Sequence, residues 1–184
     1  MTTRDHIIQT ADQLIRAKGY NAFSFVDIAN VVGIRKPSIH HYFPRKTDLG
    51  VAVIEYHIQQ LQKIQKAFAV KCAVEKLDRF FLIYDDIKKH NKVCLVGSLT
   101  TDYNTLDVEV QDKLRYFSEV MLNWVTDFLE EGRCKKEFHF SEAPRTKALL
   151  IITNMIAIVQ LSRVTEDKDF NLMKETIKKE LLTN

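Results

Sequence analysis

The stretch SFVDIANVVGIRKPSIHHYF, Ser24 to Phe43, decides how this chain is read. Serine is a residue type that caps helix amino-termini, and Asp27 places an acid in the turn that follows Ser24, a variant of the capping box. Ile28, Ala29 and Val32 supply one apolar face, and Gly33 stands where a helix ends in a left-handed residue. Lys36 to Tyr42 predicts a second short helix. Pro37 falls in its first turn, where a missing N–H costs little. Pro44 ends it, because the residue before a proline is pushed out of helical geometry. Two short helices around a tight glycine turn make a helix-turn-helix arrangement, provided another helix packs on them.

That helix lies upstream. Residues 4–18 carry Ile7, Ile8, Ala11, Leu14 and Ile15 at helical spacing, with charges between them and Gly19 at the end. Downstream, Thr47 and Asp48 open a longer pattern that runs to about Lys71. Further helical patterns cover 75–90, 93–103, 107–131, 143–163 and 169–182, with breaks expected at Asn91, Asn104, Gly132 and the Ser141–Pro144 entry. No segment alternates as a strand does. The expected fold is therefore all-α: a tri-helical head over residues 1–46 and a larger helical body over 47–184. The run ALLIITNMIAIVQL, Ala148 to Leu161, is apolar nearly all round and must be covered by a core or by a second chain. Phe170, Met173, Ile177 and Leu181 add one more stripe, and pairing of these two helices across a two-fold axis is the sharper reading.

The net charge of +3 says little, but its distribution says more. Residues 1–46 hold seven lysines and arginines against three acids, whereas the remainder holds 20 bases and 21 acids. A small basic unit on a near-neutral body suits a polyanion-binding module. No run of residues approaches the roughly 18 consecutive apolar positions of a membrane span, and MTTRDHIIQTADQLI is too charged for a secretory signal. Cys72, Cys94 and Cys134 are widely spaced and odd in number, which suggests a reducing, cytoplasmic setting and no zinc site. No cofactor is implied.

Enzymatic readings find no support in the spacing. His40 and His41 are neighbours on a helix, about 100° apart, and cannot share one metal. No phosphate loop, nucleophile elbow or His-Glu-x-x-His run occurs. A helix that enters the DNA major groove needs short side chains near its start and donors along one face. Arg35, Lys36, Ser38, His40, His41 and Tyr42 supply that mixture, while Ile39 turns to the core. Ser24, at a helix amino-terminus, suits a backbone phosphate, and Lys46 opens the following helix within reach of the same backbone.

The run from Ile7 through Val53 resembles the amino-terminal domain of TetR-type transcriptional regulators. The matching pieces are Gly19-Tyr20, Ser24, Asp27-Ile28-Ala29, Val32-Gly33-Ile34, Lys36-Pro37-Ser38, Tyr42-Phe43, and Lys46 with Leu49. The resemblance implies a homodimer that binds a palindromic operator on double-stranded DNA and leaves it when a small-molecule effector enters the body. It implies DNA contacts at Ser24, Lys36, Pro37, Ser38, His40, His41, Tyr42 and Lys46. His40 departs from the family pattern, which usually has tyrosine there. Because histidine titrates near neutrality, a pH-sensitive operator affinity is one expectation.

The segment CLVGSLTTDYNTLDVEVQDKL, Cys94 to Leu114, is similar to the Cys-Leu segment of NemR-like repressors, a branch that includes sensors of reactive electrophiles. That similarity offers Cys94 as a reactive thiol; the alternative is a small buried hydrophobe. The lysine that partners the sensor cysteine in that branch is missing, with Gln160 near its place. For an effector pocket, the central large or adaptable residues are Tyr84, Leu95, Leu99, Tyr103, Phe117, Met121, Trp124, Asn154, Met155 and Ile158. Control by a protein partner in place of a pocket is the remaining alternative.

Overall fold

The computed structural model describes residues 1–183, and no strand occurs among them. The helices are α1 (Thr3–Lys18), α2 (Phe25–Val32), α3 (Lys36–Tyr42), α4 (Lys46–Ala67), α5 (Ala73–Lys89), α6 (Leu95–Thr101), α7 (Val108–Cys134), α8 (Pro144–Leu161) and α9 (Asp167–Leu182), with a short 3-10 turn at Tyr103–Thr105. The chain divides into two compact units. One holds residues 1–61 and 95–118, the other 62–94 and 119–184. Among the described residues, no helix is long and apolar enough to cross a membrane.

In the first unit α1 and α2 are each started by a capping box. Thr2 pairs with Asp5, and Ser24 pairs with Asp27, so orphan N–H groups at both helix starts find oxygen acceptors. Gly33 takes the left-handed conformation at φ 75°, and its own N–H and that of Ile34 both return to the Ala29 carbonyl. A side chain at that φ would be strained, which is why glycine makes this turn. The head closes on Ile7, Ala11, Ile15, Ile28 and Ile39, all fully buried. The buried Asp12 carboxylate on α1 joins Arg16 at 3.4 Å and His57 Nε2 on α4 at 2.7 Å.

α6 and the first turns of α7 belong to the same unit and are tied to the head by polar contacts. Ser98 Oγ donates to the Ile15 carbonyl, and Asp102 accepts from the Tyr20 and Asn21 N–H groups. Asn21 donates to Thr105, Thr47 bonds Asp107, and Arg45 reaches Glu109. Sequence separations of 60 to 84 residues put all of these beyond any local pattern.

In the second unit, Phe80, Tyr84, Trp124 and Phe128 form a chain of edge-on aromatic contacts at 5.2 to 6.4 Å. α8 buries Ala148, Ile151, Met155, Ile158 and Val159 on one side, and α9 covers its own stripe of Phe170, Ile177 and Leu181. The other side of α8 stays open among the described residues. Leu149, Leu150 and Leu161 are exposed there, and Thr153, Ile156, Ala157, Gln160 and Leu161 line an open, mostly apolar groove.

Three boundaries differ from the sequence reading. α4 ends at Ala67, and residues 68–70 are turn, so the pattern to Lys71 overran by one turn. The pattern over 93–103 divides into α6 and the 3-10 turn. Gly132 does not break α7, which runs through it to Cys134. The left-handed residue that ends this helix is Lys136, at φ 59°. Its N–H bonds the Arg133 carbonyl and the Glu137 N–H bonds the Gly132 carbonyl, the paired closure of a Schellman motif. Gly132 serves a different purpose: an added Cβ would lie 2.3 Å from the Phe138 ring. At Asn91, φ 50°, the expected break of α5 occurs, with the same pair of closing bonds from Asn91 and Lys92.

Candidate nucleic-acid interface

α3 has one buried residue, Ile39, which anchors it to the head. Every other residue of the helix is exposed: Lys36, Pro37, Ser38, His40, His41 and Tyr42. Arg35, at its N-cap, is exposed and makes no side-chain cap. Phe43, buried at the helix end, is faced by the Arg4 guanidinium at 5.2 Å. A seven-residue helix and its N-cap, held by an isoleucine and a phenylalanine, thus present two cations, a hydroxyl, two imidazoles and a phenol on the outer side.

The histidines have separate surroundings. The His40 ring packs edge-on against Phe25 of α2 at 4.8 Å, and its Nδ1 lies 3.3 Å from the Pro44 carbonyl. A carbonyl only accepts, so this contact places the proton on Nδ1 and leaves Nε2 outward as an acceptor in the neutral ring. His41 has its ring beside that of Tyr42, at 5.4 Å.

Ser24 is exposed at the amino-terminus of α2. Its Oγ accepts from the Val26 N–H at 3.2 Å and donates to Asp27 Oδ2 at 2.7 Å, and the same oxygen accepts the Ser24 N–H. These bonds from Ser24, side chain first and then backbone, hold the Asp27 carboxyl below the ordinary aspartate value. Lys46, expected at the DNA backbone, has its ammonium turned inward. Nζ donates to the Phe23 carbonyl at 2.5 Å and lies over the rings of Phe23 and Tyr20 at 4.2 and 4.9 Å. Burial lowers its pKa from the usual lysine value, against the pull of Asp102 and Asp27. Burial also pushes the Tyr20 phenol up to about 12, with Asp107 and Asp48 adding to the shift. Arg45 is engaged as well, by Asp48 at 2.7 Å and Glu109 at 3.1 Å. The seven bases of residues 1–46 are therefore not equivalent: Arg35 and Lys36 stand exposed on the outer face, while Arg16, Arg45 and Lys46 are engaged in the fold.

The candidate effector residues fall into both units. In the first, Leu95, Leu99 and Phe117 are buried, and the half-buried Tyr103 has its hydroxyl bonded by Arg115. In the second, Tyr84, Met121, Trp124, Met155 and Ile158 are buried, whereas Asn154 is exposed and donates to the Leu150 carbonyl. Among the described residues the buried Tyr84 hydroxyl has no oxygen or nitrogen partner, and the Cys94 thiol lies beside it. Burial, then the neighbouring Cys94 thiol, push its pKa well above the ordinary phenol value. Cys94 is 4 % exposed, so in this conformation its thiol is closed to reagents in solution; Cys72 and Cys134 are exposed.

Sequence reasoning missed Tyr20, Phe23 and Asp102. Lys46 reaches the Phe23 carbonyl 23 residues away, and Asp102 reaches the Tyr20 N–H across 82. No spacing rule announces contacts of that kind.

Known proteins place this arrangement. The model of the family described as "Bacterial regulatory proteins, tetR family" matches residues 7–53, the head and the start of α4. A crystal structure of a TetR transcriptional regulator from Legionella pneumophila is 31% identical, with 98% of each chain covered and a TM-score of 0.86. A TetR-family transcriptional regulator from Agrobacterium tumefaciens is 25% identical, again with 98% of each chain covered, at a TM-score of 0.91. The HTH-type transcriptional repressor NemR of Escherichia coli K12 is 21% identical over 155 residues, 81% of this chain and 78% of NemR. The family model covers the head, the 31% identical structure covers 98% of the chain, and the chain belongs to the TetR family of bacterial transcriptional regulators.

Proposed function

We propose that the protein is a homodimeric repressor that binds a palindromic operator through residues 1–46 and is released by a small-molecule effector held in residues 47–184. The observation that carries the reading is α3: a helix pinned by Ile39 with all its remaining side chains exposed, most of them able to hydrogen-bond. Lys36, Pro37, Ser38 and His41 enter the major groove. Arg35 and Tyr42 flank them on the phosphates. His40 presents Nε2, an acceptor in the neutral ring, beside them. Ser24 and the amino-terminus of α2 meet a backbone phosphate, where N–H groups and the helix dipole favour an anion.

The exposed apolar side of α8 supports the dimer. Leu149, Leu150, Ile156, Ala157 and Leu161 lie along it, and a second copy of the same face covers it across a two-fold axis. Two heads related by that axis read the two halves of a palindrome, with centres about 34 Å apart or a related spacing. An effector weakens the complex by binding better to a dimer whose heads are set at another separation, and it acts only through that difference in affinity. The buried aromatic and aliphatic surroundings of the Tyr84 hydroxyl, which has the Cys94 thiol beside it, favour a mostly apolar effector with one polar group.

Selection of bound DNA from a random pool tests the reading. A palindrome with half-sites one turn apart is expected, and its release by a small apolar ligand with one polar group completes the test. A pool that yields no palindrome refutes the operator, and a species that sediments as a monomer refutes the α8 interface.

A further inference from the structure

We infer that Lys46 is a positioning residue of the DNA interface: it fixes the Phe23–Ser24 peptide, and with it the amino-terminus of α2, and does not neutralise an operator phosphate. The inference rests on the DNA-binding reading above and assigns this lysine a role different from the phosphate contact that its place in the sequence suggests.

The Phe23 carbonyl and the Ser24 N–H belong to one planar peptide unit. Lys46 Nζ holds the carbonyl side of that plane at 2.5 Å, and Asp27 Oδ2 holds the N–H side at 2.7 Å. With both edges of the plane fixed, Ser24 keeps the extended φ of −126° that an N-cap needs. The orientation of the first turn of α2 follows from it. The ammonium is held in turn by two aromatic faces. The buried rings of Phe23 and Tyr20 meet at 87° and form a corner over which Nζ sits, 4.2 and 4.9 Å from their centroids.

The corner is itself braced. The Tyr20 N–H is bonded by Asp102, and Gly50 on α4 lies so near that an added Cβ would come within 2.9 Å of the Tyr20 ring. Tyr20 is therefore not at liberty to swing away and release the cation. A half-buried ammonium that stretched outward to a phosphate would weaken its carbonyl bond and its contacts with both ring faces. Among the described residues, Arg35 and Lys36, exposed on the outer face, carry no such attachment to the head.

The two roles differ in their salt signature, because a protein that neutralises fewer phosphates releases fewer counterions on binding. The test uses the full chain and the operator recovered from the random pool, with affinity measured by fluorescence anisotropy over a salt series. Arg35→Met, which removes a cation assigned to the phosphates, should flatten the slope of log K against log salt by about 1.8 for the dimer, one phosphate per subunit. Lys46→Met should weaken binding on the order of tenfold and leave the slope unchanged. Ser24→Ala combined with Lys46→Met should cost no more than the larger of the two single effects, because both act on the same turn.

Phe23→Leu guards against a variant that fails to fold. It keeps the lysine and removes one ring face, and it too should weaken binding. A phosphate-contacting Lys46 would instead bind as well or better once the ring is gone. A Lys46→Met slope that flattens as much as that of Arg35→Met, or full additivity with Ser24→Ala, overturns the inference. If the parent chain selects no DNA, the repressor reading falls and this assignment falls with it. That outcome is distinct, because it appears before any variant is made.

Discussion

Replacing Gly132 with alanine sets two effects of opposite sign against each other. Gly132 lies inside α7, where alanine is favoured over glycine by about 1 kcal/mol on helix propensity alone. An added Cβ, however, would lie 2.3 Å from Phe138 Cδ2, 2.8 Å from its Cε2 and 2.8 Å from Ala73 Cβ. Carbon atoms prefer about 3.5–4.0 Å, so the ring would have to retreat by more than ~1 Å. Phe138 is 1 % exposed, so the ring can move only by displacing its neighbours or by losing burial. Overpacking of this kind costs about 1–3 kcal/mol, so clash outweighs propensity and Gly132→Ala should lose up to ~2 kcal/mol. In a chain of this size each kcal/mol moves the midpoint by roughly 2–4 °C. Urea unfolding and thermal melts at one fixed protein concentration measure it, the concentration being held because a dimer's midpoint depends on it. Phe138→Ala should be costly alone, yet combined with Gly132→Ala it should recover part of the glycine variant's deficit. A Gly132→Ala chain about 1 kcal/mol more stable than the parent would refute the close-packing argument and return Gly132 to an ordinary helix position.

Lys136→Gly tests the other half of that helix end: relief of a left-handed non-glycine residue should raise stability by roughly 0.5–1 kcal/mol, read from the same urea curves. Ile39→Ala empties the anchor of α3 and should cost about 2–5 kcal/mol, with operator binding abolished at temperatures where the body still shows full helical circular dichroism. Asp27, whose carboxyl is held below 3.8 by Ser24, lends stability that is present above its unfolded value and lost as pH falls through its folded one. Parent and Asp27→Asn should therefore differ at neutral pH and converge in acid below 3.8; a gap that widens in acid would contradict the bonding of Ser24. Ala157→Glu on the exposed side of α8 should give a monomer in sedimentation velocity with its helix content intact.

The local chemistry of the helix ends was legible before any coordinates. Ser24 and Asp27 cap α2, Gly33 takes the left-handed turn, Asn91 ends α5, and Ile39 faces the core, because each depends on neighbours within a few residues. Periodicity likewise fixed the all-α class, and the motif run from Ile7 to Val53 pointed to the family. What periodicity cannot report is which of two plausible residues takes a strained conformation. Glycine is the usual helix terminator, yet at the end of α7 Lys136 bears the positive φ, while Gly132, four residues earlier, leaves room for Phe138. Nor can a count of charges tell a cation that faces solvent from one that is used inside the fold. Lys36 and Lys46 look alike as basic residues of the head, but only the tertiary structure puts the second over two rings and onto the Phe23 carbonyl. The grip of Asp102 on the Tyr20 N–H was hidden for the same reason: contacts across 82 residues are decided by how helices pack, and packing leaves no period in the sequence.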